Sequence, residues 1–318
     1  MRLKRFISVA DVAAPTELVE EVIQLKKNKF QFNQLGLEKT IALLFFNPSL
    51  RTRLSSQLAA KLLSMYDMVL DVNHGWPLEF GLGAIMDKDR SEHVQEAAAV
   101  ISQYCDLLGI RSFPSLTSQK ADYSEPVLNA FETYGSKPII NLESATRHPL
   151  QGLTDMVTIA EYQNTTRPKI VLTWAPHPKA LPQSVANSFT AWCLAMGHDL
   201  TITHPEGYAL DPQITQGANI EYDPAKAYEG ADFVYAKNWS SFEQYGQIIS
   251  QDQRWLVEST KWAVTNDANF MHCLPVRRNV VVADAILDSS SSLVIQQANN
   301  RTFAAATVMK CILQHMNT

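Results

Sequence analysis

In the stretch FFNPSLRTR, residues 45–53, an apolar run stops at Asn47-Pro48 and gives way to Ser49, Leu50, Arg51, Thr52 and Arg53. Two hydroxyls and two guanidinium groups fall within five residues, directly before a segment of helical spacing. A loop that enters a helix offers free backbone N–H groups and the positive end of the helix dipole. Planar arginine forks add donors that match phosphate oxygens. The chemistry this pattern points to is the holding of a phosphate, with more donors than a lone carboxylate needs. One arginine beside a capping serine would pass as a solvated helix start, but two with two hydroxyls do not.

Other polar residues stand at the ends of apolar runs. DLLGI is followed by Arg111, and PIINL by Glu143 and then SATRHPLQ, with His148 and Gln151 at a helix start. KIVLTWA runs into PHPKALP, whose three prolines hold His177 and Lys179 in place. DFVYAK ends in Lys237, and NFMHCLP carries Cys273 and Leu274 before VRRN supplies Arg277 and Arg278. The first half of the chain thus offers phosphate-type donors, and the second offers Lys, Arg and His suited to a carboxylate-bearing partner. Two such sets imply a two-substrate transfer reaction in a cleft between domains.

The elements that must position these residues alternate. Short apolar runs at 40–47, 68–72, 106–111 and 138–142 are separated by segments of helical spacing at 52–66, 91–105 and 125–135. A helix over 149–163 leads to a second series: strands at 169–175, 199–205, 232–237 and 269–275, a helix over 182–197, and a last helix over 300–316. Strands of this kind alternating with helices predict α/β architecture, with two doubly wound parallel-sheet domains. The expected bounds are 1–148 for a phosphate-binding domain and 149–298 for an amino-acid-binding domain, with the C-terminal helix 299–318 packing back on the first. In such sheets ligands bind beyond the carboxyl ends of the strands, which is where every candidate lies.

Composition bounds the function. The 318 residues exceed the usual size of one core. A net charge of -5 argues against a nucleic-acid surface, and no apolar run reaches the roughly 20 residues that span a bilayer. The N-terminal MRLKRFISVADVAAP lacks the apolar core of a signal peptide. The four cysteines, Cys105, Cys193, Cys273 and Cys311, have no metal-ligand spacing and read as free thiols of a cytoplasmic protein. No metal or cofactor is expected. A nucleotide-dependent dehydrogenase would want G-x-G-x-x-G after a strand, which is absent. A phosphate-binding module without activity would not need the second set of cations.

Taken together, SLRTR, HPLQ and HCLP resemble the Ser-x-Arg-Thr-Arg, His-Pro-x-Gln and His-Cys-Leu-Pro motifs of the aspartate/ornithine carbamoyltransferases, in the same order and over essentially the whole chain. FFNPSLRTR, GWPLEF, TWAPHPK and HCLPVRRN are similar to the N-acylornithine branch, whereas the Ser-Met-Gly-Gly run typical of ornithine enzymes is replaced by WSSFEQYG at 239–246. That branch has a trefoil knot in its second domain, formed through a proline-rich loop that PHPKALP resembles, and it forms trimers.

The resemblance implies roles. Ser49, Leu50, Arg51, Thr52 and Arg53 hold the phosphate of carbamoyl phosphate, with Arg277 contributing. Arg111 and His148 polarise the carbamoyl carbonyl, and Gln151 binds its amide. Cys273 and Leu274 offer backbone carbonyls to the amide and the attacking amine. Trp76 reaches the neighbouring subunit's site. Glu143, His177, Lys179, Lys237, Arg277 and Arg278 meet the acylated amino acid.

The acyl group is read from two positions. A glutamate that excludes a second carboxylate in the acetyl-using enzymes corresponds to Ser91, itself a candidate helix cap, and a lysine after HCLPLRRN corresponds to Val281. Losing a repulsive group favours the succinyl substrate, with Arg278 or Lys179 as its cation. The expected reaction is carbamoyl transfer to N-succinyl-L-ornithine in arginine biosynthesis. N-acetyl-L-ornithine is the alternative substrate, followed by free ornithine.

Overall fold

The computed structural model describes residues 1–317; Thr318, the end of the expected C-terminal helix, lies outside them. The chain divides into two units. The first comprises residues 1–115, 119–150 and the C-terminal segment from Arg301. The second comprises 116–118 and 151–300. The change of unit thus falls inside two helices, Pro149–Tyr162 and Val294–Met316, rather than in a linker.

In the first unit the strands are β1 (Thr40–Phe45), β2 (Tyr66–Asp71), β3 (Leu78–Glu79), β4 (Glu92–His93), β5 (Leu107–Arg111) and β6 (Ile139–Glu143). The main sheet is all parallel, in the order β2-β1-β5-β6. Every residue of β5 and β6 is buried, and β1 is buried from Ile41 onward, as expected of parallel strands covered on both faces. Gly109 belongs to this packing: a Cβ there would come within 2.8 Å of Leu43 Cδ2 and 3.1 Å of Leu142 Cδ1. The chain lays β2 on one side of β1 and then crosses to place β5 on the other, so the direction of winding reverses between β1 and β5. Phe45 pairs with Arg111 at the carboxyl end of that gap.

The second unit repeats the logic with β7 (Lys169–Trp174), β8 (Asp199–Thr203), β9 (Asn219–Glu221), β10 (Phe233–Lys237) and β11 (Asn269–Met271). These too are all parallel, in the order β11-β10-β7-β8-β9. Its reversal lies between β7 and β10, where Trp174 pairs with Lys237. Crevices at such reversals are where open α/β sheets bind ligands.

Three features depart from the sequence expectations. A helix over Pro15–Lys27 escaped notice, although Leu18, Val19, Val22 and Leu25 are buried at helical spacing behind a proline at its first turn. The small pair β3 and β4 sets aside a piece of the segment read as one helix from 91, so the helix begins at Val94. The last helix begins at Val294 and absorbs the apolar run SLVIQQA.

Candidate active site

The loop after β1 is held by its neighbours. Asn73 Nδ2 donates to Phe46 O at 2.7 Å, and Asn47 Oδ1 accepts from Phe113 N at 2.6 Å. The helix Arg51–Leu62 follows with Leu50 at its cap position and no side chain on its first-turn amides. A helix start of this kind carries a share of the helix dipole that favours an anion. An opening of about 460 Å³ lies here, with Asn47, Ser49, Leu50, Arg53, Asp71 and His74 in its wall. Arg53 is ion-paired with Asp71 and stands 5.0 Å over the Phe45 ring. The Thr52 side chain is buried, and its Oγ1 accepts from Arg301 Nη2 at 2.7 Å. Arg301, which sequence reasoning missed, thereby ties the last helix to the first turn of the loop helix.

At the end of β5, Arg111 is buried within the first unit. Its Nη1 donates to the carbonyls of Asn47 at 3.1 Å and Pro48 at 2.6 Å, and its Nη2 to Glu143 Oε2 at 3.2 Å. The guanidinium stacks 4.1 Å over Phe113. His148 Nε2 lies 3.5 Å from the same Glu143 oxygen. Glu143 was expected to meet the acylated amino acid. The structure buries it against Arg111 and His148, as a carboxylate at 7% exposure needs cationic or hydrogen-bonding partners.

Trp76 is exposed on the first unit and donates from Nε1 to Glu92 Oε2 at 2.7 Å. Ser91 lies close by in the chain, its N–H bonded to Pro77 O at 3.0 Å. The expected capping role of Ser91 is corrected: His93 caps the following helix, its Nδ1 accepting from Gln95 N at 3.2 Å. The Ser91 side chain is exposed and spent on no cap.

In the second unit the proline loop after β7 carries His177, whose Nδ1 donates to Lys179 O at 2.9 Å and whose Nε2 accepts from Arg277 Nε at 3.1 Å. Burial, with Lys237, Arg277 and Lys179 nearby, lowers the His177 pKa, outweighing the opposing contact with the Lys179 carbonyl. Lys237 is buried at the end of β10, its ammonium donating to Asn238 O at 2.8 Å. Arg278 was a candidate for a substrate carboxylate. Its fork is instead taken by Asp284 at 2.7 Å and Asp288 at 2.6 Å, two carboxylates that hold it charged. The Lys179 side chain is exposed. Gln151 is buried and donates to Asp155 Oδ1 at 2.6 Å.

Cys273 and Leu274 follow β11, with Leu274 in the left-handed region at φ 55° and a cis bond to Pro275. His272 Nδ1 accepts from Leu274 N at 2.9 Å. The four cysteines form no disulfide. Burial pushes Cys105 up to about 11 and Cys311 to about 12, so these two are inert thiols rather than nucleophiles. Among the described residues no three His, Cys, Asp or Glu gather to hold a metal ion.

Residues 4–161 match the carbamoyl-phosphate-binding domain of the aspartate/ornithine carbamoyltransferases, and residues 182–312 match their aspartate/ornithine-binding domain. The chain is 49% identical over 315 residues to N-succinylornithine carbamoyltransferase of Bacteroides thetaiotaomicron, covering 98% of this chain and 99% of that one. It is 38% identical over 336 residues to N-acetylornithine carbamoyltransferase of Xanthomonas axonopodis pv. citri, covering 98% and 97%. Among solved structures, a glutamate-to-serine mutant of N-acetyl-L-ornithine transcarbamylase, complexed with carbamyl phosphate and N-succinyl-L-norvaline, is similar with a TM-score of 0.90 at 38% identity, covering 97% of this chain and 99% of that one.

Proposed function

The chain belongs to the aspartate/ornithine carbamoyltransferase family, and within it we propose that it carbamoylates N-succinyl-L-ornithine in arginine biosynthesis. The δ-amine, as the neutral base, attacks the carbonyl carbon of carbamoyl phosphate. A C–N bond forms, the C–O bond to phosphate breaks, and the amine proton leaves to solvent or to the departing phosphate. The products are N-succinyl-L-citrulline and phosphate.

In this reading the phosphate sits at the N-terminus of helix Arg51–Leu62, held by Ser49, Leu50 N–H, Arg51, Thr52 and Arg53, with Arg277 and Trp76 completing its surroundings. Arg111 and His148 donate to the carbonyl oxygen as negative charge develops there, and Gln151 holds the amide. Cys273 and Leu274 present carbonyls to the NH2 groups. His177, Lys179 and Lys237 serve the acylated amino acid, and Glu143 fixes Arg111 and His148. Catalysis then rests on placing two reactants and neutralising charge, with each well-aimed donor worth about 2.7–4 kcal/mol.

One observation carries the succinyl assignment. Ser91 stands where the resemblance places the excluding glutamate of the acetyl-using enzymes, its side chain exposed and capping no helix. The glutamate-to-serine relative that holds N-succinyl-L-norvaline supports the same reading.

Three further elements belong to this proposal. Self-association, as a homotrimer, is supported by apolar side chains exposed on the first unit: Leu50, Leu54 and Leu58 along one helix, with Tyr66, Trp76 and Ile85. A trefoil knot is supported by the bonding of the 239–241 segment to the proline loop, with Ser240 N donating to Leu181 O and Gln183 Nε2 to Ser240 O, both at 2.9 Å. A cytoplasmic location suits four cysteines that form no disulfide.

The test is a side-by-side assay of citrulline-type product from carbamoyl phosphate with N-succinyl-L-ornithine, N-acetyl-L-ornithine and L-ornithine, repeated with Ser91→Glu. Turnover of the succinyl substrate, moving toward acetyl in the variant, is expected. Turnover of acetyl alone by the unaltered chain overturns the acyl assignment, and turnover of free ornithine alone overturns the branch.

A further inference from the structure

Behind the residues assigned to the carbamoyl group runs a buried line of polar side chains, all within the second unit. Asp155 lies one helical turn after Gln151 and is fully buried. Its Oδ1 accepts from Gln151 Nε2 at 2.6 Å and from Gln297 Nε2 at 2.7 Å. Gln297, on the last helix, turns its Oε1 to the backbone N–H of His272 at 3.0 Å. His272 in turn accepts from Leu274 N at 2.9 Å. A continuous path of hydrogen bonds therefore joins Gln151 to the Cys273–Leu274 turn.

The path has a fixed sense. Gln297 donates at one end and accepts at the other, so a flipped amide would set its oxygen against a carboxylate and its NH2 against an N–H. His272 accepts on Nδ1, which places the proton of a neutral ring on Nε2. Leu274 needs such support, because a residue with a Cβ is strained at positive φ and keeps that conformation only where its surroundings impose it. The enclosure is tight: burial, with Asp155 and Cys273 close by, raises the Tyr235 hydroxyl well above its ordinary pKa. Apolar side chains would fill this space without the desolvation that a buried carboxylate entails. What they would lose is direction.

Resting on the proposed function, we infer that Asp155 and Gln297 are positioning residues that hold Gln151 and the Cys273–Leu274 turn in one register, so that the carbamoyl amide and the attacking amine are oriented by a single rigid path. The consequence is specific. Breaking the path misplaces the reacting groups and leaves the phosphate loop, which belongs to the first unit, as it was.

The experiment uses the full chain with Gln297→Met, which keeps length and volume and removes both hydrogen bonds, and Asp155→Asn, which keeps shape and removes the charge. Folded sites are counted by calorimetric titration with inorganic phosphate, and turnover is expressed per phosphate-binding site. The expected result is a fall in kcat of about 10- to 100-fold with phosphate affinity held within about twofold. A kcat per phosphate site equal to that of the unaltered chain overturns the inference. So does failure of both variants to fold, which would make the path a support of the core alone. An unaltered chain inactive on every ornithine derivative would instead remove the proposed function, and the same assay shows which of the two has failed.

Discussion

Arg111 offers a way to separate stability from chemistry. Its guanidinium is buried, bonded to two carbonyls and paired with a Glu143 that is equally buried. Arg111→Met strips a buried carboxylate of its cation and two carbonyls of their donor. Breaking one side of a buried pair costs about 3–5 kcal/mol. The lost hydrogen bonds are part of that same event rather than an addition to it. Glu143→Gln, introduced into Arg111→Met, removes the stranded charge at nearly constant shape and should return at least about 2 kcal/mol. Activity should not return with it. If Arg111 donates to the carbonyl oxygen as charge develops, kcat/KM falls about 100-fold or more in both the single and the double variant. The measurement is a double-mutant cycle read twice, by urea unfolding and by citrulline-type product formation. Two results would refute the reasoning. Equal instability of the single and double variants would show that Glu143 is not stranded when Arg111 is removed. Recovery of activity along with stability would show that Arg111 matters only as a structural partner.

Other expectations follow from particular contacts. His177 accepts from Arg277 on Nε2 and has a lowered pKa, so the folded chain favours the neutral ring. Its contribution is whole above the unfolded pKa of about 6.5 and is lost as pH falls from there through the folded value. Accordingly KM for the acylated ornithine should rise below about pH 6.5, and His177→Asn, which keeps an acceptor that does not titrate, should flatten that rise; an unchanged profile in the variant excludes His177 as the source. Gly152→Ala would put a Cβ 2.2 Å from Trp192 Cδ1 and 2.9 Å from its Nε1. Overpacking costs about 1–3 kcal/mol against a gain of about 1 kcal/mol in helix propensity, so thermal melting should move down; a rise would show that the indole yields freely. Arg278→Ala should leave KM for N-succinyl-L-ornithine within about threefold, because Asp284 and Asp288 already occupy its fork, whereas Lys179→Met should raise it about tenfold; the opposite order would return the succinyl carboxylate to Arg278.

The two sheets show why the candidate residues could be placed at strand ends without coordinates. A parallel strand buried on both faces carries few charged side chains until it ends, so each charged cluster marks a carboxyl end by contrast with the run before it. Arg111 and Lys237 are the last residues of β5 and β10, and each pairs across a reversal of winding, with Phe45 and with Trp174. What stayed hidden is what the chain brings from elsewhere. Arg301 reaches Thr52 across 249 residues, and Gln297 reaches Asp155 across 142. No local spacing announces such partners, and Gln297 lies before the 300–316 helix that the sequence predicts, in a turn the structure adds to it. The Asp155 position did carry a signal, since it lies four residues after Gln151 on a helix whose first eleven residues, from Pro149 to Ile159, are all buried. A carboxylate on a helix that has no solvent face must be answered by donors from another element. Glu143 shows the reverse case: its place at a strand end fits a ligand contact and a ligand-orienting contact equally well, and the 3.2 Å and 3.5 Å approaches of Arg111 and His148 add the second role. Strand ends in this chain therefore name the groups proposed to meet substrate, while the residues that aim those groups have to be sought in the buried polar atoms one layer beneath.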